Sequence, residues 1–261
     1  MASSENKTVI ITGCSSGIGL ATTLVFLSQK VRVFGIDMSP FTHELDAIYN
    51  DSFTFHKADL CKPGAAEDAI SACIAKYGPS IDVLANVAGI MDAFSSADTV
   101  RDSEWERVLT VNLTVPVRMM TAVLPSMKNQ QSGSIVNVGS YASLSGAVAG
   151  IAYTASKHGL IGATKNVAWR FRKDGIRCNA VLPGAVPTNI RSSMVQENVD
   201  QAAMEVYRPV QVLCQGLKRD DLPYGSVGPD DIAQGIAFLA SDAAKTISGV
   251  VMPIDNAWST I

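Results

Sequence analysis

The stretch TVIITGCSSGIG, residues 8–19, decides the fold of this chain. Its first five residues are all β-branched, as in a buried strand, and an apolar helical pattern begins near residue 17. The glycines between them lack a Cβ atom, so they permit a tight turn and let backbone N–H groups approach a phosphate. A strand, a glycine-rich turn and a helix in this order predict a dinucleotide-phosphate loop. Its binding positions would be Gly13, Ser15, Ser16, Gly17, Ile18 and Gly19.

The alternation of strand and helix continues to the end of the chain. Further strands are predicted at 31–36, 53–57, 83–87, 134–139, 177–182 and 250–254, and helices at 17–29, 63–77, 102–128, 152–173 and 229–240. Several strands are apolar on both faces, as strands covered by helices on two sides would be. We therefore predict an α/β fold: one doubly wound Rossmann domain over residues 1–261, with a parallel sheet of about seven strands and helices on both faces. Residues 187–228 interrupt the alternation and predict a substrate-binding lid segment.

Composition argues against several classes of protein. Hydrophobic residues are 47% of the chain and charged residues 17%, which suits a large buried core, and the net charge of −3 with no basic run argues against nucleic-acid binding. Five cysteines without CxxC spacing indicate reduced thiols. No apolar run approaches the roughly 18 residues of a membrane span, and the N-terminus lacks a signal-peptide pattern. We expect a cytoplasmic protein with no membrane partner and, from its dispersed histidines, no metal site.

An aspartate closes the second predicted strand, about 20 residues past the glycine loop. The carboxylate of Asp37 can accept hydrogen bonds from the adenosine ribose hydroxyls and would repel a 2′-phosphate. No arginine or lysine stands at positions 13–16 to bind such a phosphate, and Met38 follows the aspartate. The pattern favours NAD over NADP, although Asp37 could instead be a turn former before Ser39-Pro40.

A tyrosine and a lysine lie four positions apart in IAYTASKHGL, residues 151–160. Residues four apart share one helix face, so Tyr153 and Lys157 could be an ordinary surface pair. A phenol becomes a base near neutrality only if its phenolate gains roughly 4 kcal/mol, about what one ammonium 4 Å away supplies at an effective dielectric of about 20. Small neighbours, Ala152, Ala155 and Gly159, would leave this face open to a cofactor. We therefore predict that Lys157 lowers the pKa of Tyr153, which removes the proton of an alcohol or returns it in reverse.

Taken together, these motifs make the chain similar to short-chain dehydrogenases/reductases of the classical type. The resemblance covers essentially the whole chain. It rests on TGxxxGIG at 12–19, NVAG at 86–89, Asn112, Ser140, the Tyr153–Lys157 pair and PGAVPT at 183–188, in the order and spacing of the family. One departure is Val87, where many members have a second asparagine.

The resemblance implies roles for further residues. Ser140 would hydrogen-bond the reacting oxygen, Lys157 would also bind the nicotinamide ribose, and Asn112 would hold a water that links Lys157 to solvent. Asp59 and Leu60 would contact the adenine, although they could instead cap the following helix. The other implied cofactor contacts are Asn86, Ala88 and Gly89 on the adenosine side, and Pro183, Gly184, Val186 and Thr188 around the nicotinamide. A homotetramer, or at least a dimer, would form through helices 102–128 and 152–173.

Apolar residues in the lid segment and a tryptophan near the C-terminus shape the predicted substrate site. These side chains could equally serve to pack the lid against the domain or a neighbouring subunit. They favour a sizeable hydrophobic secondary alcohol or ketone, such as a terpenoid, steroid-like or polyketide skeleton. The candidates that line the pocket are Met91, Ser140, Tyr141, Val148, Tyr207 and Trp258.

Three functions are compatible with these patterns. The leading one is an NAD-dependent oxidoreductase that transfers hydride between a hydrophobic secondary alcohol or ketone and NAD. A second is a reductase whose hydride step triggers cyclisation or isomerisation of a biosynthetic intermediate. A third is a non-catalytic dinucleotide-binding scaffold, against which the presence of the serine, tyrosine and lysine argues.

Overall fold

One parallel sheet organises the molecule. The computed structural model describes residues 7–214 and 227–260. Its seven strands lie in the order β3-β2-β1-β4-β5-β6-β7. They are β1 Thr8–Thr12, β2 Arg32–Asp37, β3 Phe53–Lys57, β4 Val83–Asn86, β5 Gly133–Val138, β6 Ile176–Pro183 and β7 Val251–Ile254. The predicted α/β class and the seven-stranded parallel sheet are confirmed, with strand ends that lie within one residue of the predicted ones.

Helices cover both faces of the sheet. They are α1 Gly17–Ser28, α2 Ala65–Tyr77, α3 Asp102–Leu109, α4 Val115–Gln130, α5 Ile151–Arg170, α6 Gln201–Cys214 and α7 Pro229–Ala240. Ile10 of β1 belongs to the core with α2 and α4, whereas its neighbours Val9 and Ile11 belong to the core with α1 and α7. Alternate residues of a strand point to opposite faces, so a strand covered on both sides must be apolar throughout. Burial of both faces of the sheet under helices explains why the strand sequences are apolar without interruption.

The helix predicted at 102–128 is two helices joined by a π turn, Thr110–Thr114. Pro116 has no N–H to donate to the carbonyl of Asn112 four residues earlier, so regular α-helical bonding cannot continue through this point. By length and composition the stretch Asp102–Gln130 could cross a membrane. In this fold Met119, Val123 and Met127 of the same stretch are fully buried against the sheet, as in the core helix of a globular protein.

The predicted lid segment contains ordered helices in its described part. Two 3₁₀ helices, Asn189–Ser193 and Gln196–Asn198, precede α6, and residues 215–226 lie outside the described part of the chain. The role of 187–228 as a lid, like the assignment of 1–261 to one domain, stays a prediction.

Candidate active site

A cleft of about 370 Å³ opens at the carboxyl ends of the strands. Strand β1 pairs with β2 on one side and β4 on the other, so the connections leaving β1 and β4 diverge at this edge. Such a switch point is where doubly wound sheets bind ligands. Most of the predicted site residues line the cleft: Gly13, Ser16, Gly17, Ile18, Gly19, Asp37, Met38, Asp59, Leu60, Ala88, Gly89, Ser140, Tyr153, Lys157, Pro183, Gly184, Val186 and Thr188.

The glycine loop forms a cradle that side chains would fill. Gly13 has a φ of +73°, and a Cβ added there would lie 2.9 Å from the Cα of Ala88. A Cβ at Gly19 would lie 1.9 Å from the carbonyl oxygen of Gly13. Helix α1 begins at Gly17 with no side-chain cap and no acidic residue in its first turn. Uncapped N–H groups at a helix start attract anions, so the loop fits the pyrophosphate of a dinucleotide.

Backbone N–H groups from two segments, the glycine loop and the turn after β2, hold the carboxylate of Asp37 in place. Its Oδ2 accepts a hydrogen bond from the N–H of Ser15 at 3.0 Å, and its Oδ1 accepts one from the N–H of Ser39 at 2.9 Å. Ser15 does not line the cleft. Its hydroxyl donates to the carbonyl of Ser39 at 3.2 Å, which joins the loop to the end of β2. Asp37 therefore forms the turn that the sequence allowed and also presents its carboxylate to the cleft.

The side chain of Asn86, unlike those of its neighbours after β4, does not line the cleft. It is only 3% exposed, and its Nδ2 donates to Oδ1 of Asn137 at 2.9 Å and to the carbonyl of Pro116 at 3.5 Å. As the last residue of β4, it points into the layer of α4, whereas Ala88 and Gly89 follow at the strand end and face the cleft. The side chain of Asn86 therefore joins β4 to β5, and its predicted contact with the cofactor stays a prediction.

Asn112 lies in the π turn and also stays behind the cleft wall. Its Oδ1 accepts from the N–H of Ile90 and its Nδ2 donates to the carbonyl of Ile90, both at 2.9 Å. The same amide donates to Oγ of Ser156 at 3.3 Å. The side chain thereby fastens the loop after β4 to helix α5. The water that would connect it with Lys157 stays a prediction.

Ser140, Tyr153 and Lys157 meet at one end of the cleft. Ser140 follows β5, where its Oγ accepts from the N–H of Ala142 at 3.1 Å and hydrogen-bonds the hydroxyl of Tyr153. Lys157 donates to the carbonyl of Val138 at 2.9 Å, and its Nζ is 5.5 Å from the centre of the Tyr153 ring. Both α5 side chains are buried, 7% and 3% exposed. The arrangement presents a hydroxyl and a phenol to one substrate oxygen.

The predicted effect of Lys157 on Tyr153 is wrong for the protein by itself. Burial raises the pKa of Tyr153 to about 12, with smaller contributions from Asp92 and Tyr207, and the hydrogen bond of Ser140 opposes the rise. Burial likewise lowers the pKa of Lys157 to about 8. A low-dielectric site disfavours the charged form of each group, and the ammonium bonds a carbonyl rather than the phenol. Near neutrality Tyr153 is therefore a protonated phenol, ready to donate a proton.

The predicted substrate residues come together in an aromatic cluster beside Tyr153. Tyr141 and Trp258 have ring centres 4.7 Å apart, and Phe94 and Tyr207 have theirs 5.1 Å apart. Apart from Ser140, the predicted residues do not line the cleft but pack against one another: Met91, Tyr141, Val148, Tyr207 and Trp258. Tyr207 of the 187–228 segment packs against the domain in this cluster, and direct contact of these residues with a substrate stays a prediction.

Three residues around the loop after β4 had no sequence signal. Asp92 accepts hydrogen bonds from the start of α5, Glu104 accepts from the N–H of Ala93 at 2.6 Å, and Arg107 donates to the carbonyls of Met91 and Ser193. In the sequence, Asp92 cannot be distinguished from any other aspartate in a loop. Its role depends on the fold, which brings residues 92 and 150 together.

The buried ammonium of Lys157 should reduce the stability of the protein. Folding lowers its pKa from 10.5 to about 8, so at pH 7 the buried charge lowers the free energy of unfolding by about 3 kcal/mol. Between pH 8 and 10.5 the unfolded chain holds a proton that the folded chain lacks, so stability rises with pH in this window. We expect Lys157→Met to be more stable than the parent at pH 7 by up to about 3 kcal/mol, with an advantage that shrinks towards pH 10.5.

Denaturant unfolding at several pH values, without added ligands, measures this difference. Lys165→Met in the same helix is the matched control, because Lys165 is exposed and should show neither the gain nor its pH dependence. A Lys157→Met protein that is less stable than the parent at pH 7 contradicts the prediction.

Comparison with known proteins agrees with this geometry. A family model described as short chain dehydrogenase matches residues 7–199. A short chain dehydrogenase of Penicillium brasilianum, prhI, is 51% identical over 258 residues, which cover 98% of each chain.

Two solved structures share the fold over nearly the whole chain. The 3-ketoacyl-(acyl-carrier-protein) reductase from Brucella melitensis, complexed with NADH, has a TM-score of 0.82 and 26% identity over 98% of this chain and 100% of its own. ElxO with NADP bound has a TM-score of 0.80 and 26% identity over the same shares. Proteins of this fold therefore hold either form of the dinucleotide.

Proposed function

The chain belongs to the short-chain dehydrogenase family, and on that premise we propose that it transfers hydride between a sizeable hydrophobic secondary alcohol or ketone and NAD. It is an oxidoreductase that acts on alcohol or ketone groups. The observation that carries the proposal is the meeting of Ser140, Tyr153 and Lys157 in a cleft whose other end is a glycine cradle. With these three side chains together, a non-catalytic scaffold is not favoured.

The two ends of the cleft would bind different parts of the dinucleotide. The cradle from Gly13 to Gly19 and the start of α1 would hold the pyrophosphate, and Asp37 would accept hydrogen bonds from the adenosine ribose. Lys157 would bind the nicotinamide ribose, with residues 183–188 around the ring. A bound nicotinamide supplies the site for hydride exchange and, when oxidised, a positive charge beside the phenol.

Proton transfer falls to Tyr153. In reduction the protonated phenol donates to the carbonyl oxygen, while the hydroxyl of Ser140 orients that oxygen and stabilises its developing charge. In oxidation the phenol must first lose its proton, and its raised pKa makes that step harder at low pH. The protein alone therefore favours the donor role of Tyr153, and alcohol oxidation should gain from alkaline conditions.

The preference for NAD rests on the charge of Asp37. Lys157 is the one basic residue among the described residues that line the cleft, and it lies at the opposite end. A 2′-phosphate would therefore meet the fixed carboxylate of Asp37 with no cation to offset the repulsion.

We expect kcat/KM to be at least about tenfold higher with NAD(H) than with NADP(H), a difference of roughly 1.4 kcal/mol. Asp37→Asn keeps an oxygen for the N–H of Ser39 and removes the charge, so it should narrow the gap chiefly by improving use of NADP. Asp37→Ala should narrow it too but weaken both dinucleotides, because the bonds to Ser15 and Ser39 are lost. Steady-state kinetics with both dinucleotides measure this preference. A parent enzyme with equal kcat/KM for NADP(H) and NAD(H) refutes the proposed preference for NAD.

The proposed substrate class is supported by the apolar residues around Tyr153. Tyr141, Tyr207 and Trp258 are buried in the same apolar cluster as Tyr153, and the partly buried Met91 and Met194 at its edge can adapt to an irregular skeleton. These features suit a terpenoid, steroid-like or polyketide ketone or alcohol. Incubation with a reduced dinucleotide and a panel of polycyclic ketones, followed by product analysis, tests the proposal. The same analysis shows whether a product has been cyclised or isomerised after the hydride step.

We further propose that the enzyme is a cytoplasmic homotetramer, or at least a dimer. Trp169 of α5 is 68% exposed and Val117 of α4 is 39% exposed, which is apolar area that a subunit contact through these helices would cover. The thiols of Cys14, Cys61, Cys73 and Cys178 are free, as in a reducing compartment. Light scattering of the purified protein measures the assembly.

A further inference from the structure

The carboxylate of Asp92 is bonded to the first turn of helix α5, from which Tyr153 projects. Its Oδ1 accepts hydrogen bonds from the N–H of Gly150 at 3.0 Å and of Phe94 at 3.2 Å, and its Oδ2 accepts one from the N–H of Tyr153 at 2.8 Å. The side chain is 1% exposed. The first N–H groups of a helix have no partners within it, and Gly150 offers no side chain to cap them. A residue 61 positions away in the chain supplies the cap instead.

The glycine at 150 is what admits this carboxylate. Its φ of −74° is open to any residue, so the backbone does not require glycine there. A Cβ at this position would lie 2.5 Å from Oδ2 and 2.8 Å from Oδ1 of Asp92. The small residue at the start of α5 and the buried carboxylate therefore fit each other as a pair.

The charge of Asp92 acts on the phenol that it positions. Its negative charge adds to burial in raising the pKa of Tyr153, since a phenolate beside a carboxylate is disfavoured. Five titratable or charged side chains surround the pair: Lys157, Tyr207, Glu104, Arg107 and the half-buried Asp200 just before α6. Lys157 donates to the carbonyl of Val138, Glu104 accepts from the N–H of Ala93, and Arg107 donates to the carbonyls of Met91 and Ser193.

We propose that Asp92 is a positioning residue for Tyr153: it fixes the first turn of α5, from which the phenol projects, and its buried carboxylate opposes the formation of a negative charge on that phenol. The inference rests on the proposed role of Tyr153 in proton transfer. It deepens that role, because it assigns the placement of the phenol to a group that need not touch substrate.

Titration of the phenol itself tests the charge. Asp92→Asn removes the charge but keeps one acceptor oxygen and the side-chain shape. The ultraviolet absorbance of tyrosinate is followed against pH in the full-length protein without ligands. Subtraction of the same curve for Tyr153→Phe, in each background, isolates Tyr153. We expect the midpoint of Tyr153 to fall by roughly one pH unit in Asp92→Asn. An unchanged midpoint in a variant that is folded by circular dichroism overturns the proposal.

The geometry is tested with a pair of glycines. Gly150→Ala should lower the melting temperature by about 5 °C, because the added Cβ displaces the carboxylate. Gly146→Ala is the control, since a Cβ there meets nothing within 4 Å. Equal melting temperatures for the two variants overturn the positioning role.

The outcome for Asp92 is separable from the outcome for the proposed function. If Tyr153→Phe is inactive and the midpoint in Asp92→Asn is unchanged, the proposed role of Asp92 is refuted and the proposed function still holds. A fully active Tyr153→Phe enzyme removes the role of Tyr153, and with it the catalytic meaning of Asp92, whatever the titration shows.

Discussion

Tyr153→Phe should lower turnover at saturating dinucleotide by about a thousandfold, because it removes the proton donor and acceptor while the ring stays in place. The ring packs in the aromatic cluster and is 7% exposed, so phenylalanine fills the same space. Dinucleotide affinity should remain within about threefold of the parent, since the cradle is at the other end of the cleft. Rates of ketone reduction and direct titration of dinucleotide binding measure the two effects separately.

Tyr77→Phe provides the matched control for this substitution. It also removes a phenolic hydroxyl, one that lies 2.9 Å from Oγ1 of Thr54 at the end of α2, outside the cleft. This variant should turn over at the parent rate even where it loses some stability. Retention of a tenth or more of the parent rate by Tyr153→Phe, a change of only about 1.4 kcal/mol, contradicts the proposed mechanism.

Gly19→Ala should weaken dinucleotide binding by about a hundredfold. The added Cβ would lie 1.9 Å from the carbonyl oxygen and 2.6 Å from the carbonyl carbon of Gly13. Both are backbone atoms, so relief requires the phosphate loop to move away from its ligand. Overpacking of this kind costs about 1–3 kcal/mol, and the upper end corresponds to about a hundredfold in affinity. Fluorescence titration with the reduced dinucleotide measures the loss.

Gly162→Ala is the control for that experiment. Gly162 also lies in a helix, α5, and a Cβ there has nothing within 4 Å. This substitution should leave affinity unchanged and slightly favour the helix. Binding by Gly19→Ala within about threefold of the control would show that the loop does not hold the pyrophosphate.

The order of elements and most of the cleft could be predicted from the sequence because they depend on local patterns. Apolar β-branched runs mark the strands, and the glycines at 13, 17 and 19 mark the turn. The carboxyl ends of parallel strands share one edge of a sheet, so Asp37, Ala88, Ser140 and the residues after β6 had to meet there. The side-chain direction of Asn86 does not follow from such patterns, since it depends on the packing of α4. The π turn at Thr110–Thr114 does have a local cause in Pro116, but the long apolar run predicted one continuous helix.

By itself, then, the sequence determined the doubly wound sheet, the position of the phosphate loop and the identity of the serine, tyrosine and lysine, because spacing along a strand or helix is a local property. Tertiary structure alone decided their chemical state. Burial raises the pKa of Tyr153 to about 12 and lowers that of Lys157 to about 8, contrary to the effect predicted from their four-residue spacing. The cause is that the dielectric around a group and the charges near it come from distant segments, such as Asp92, which the fold brings to the N–H of Tyr153 across 61 positions of chain.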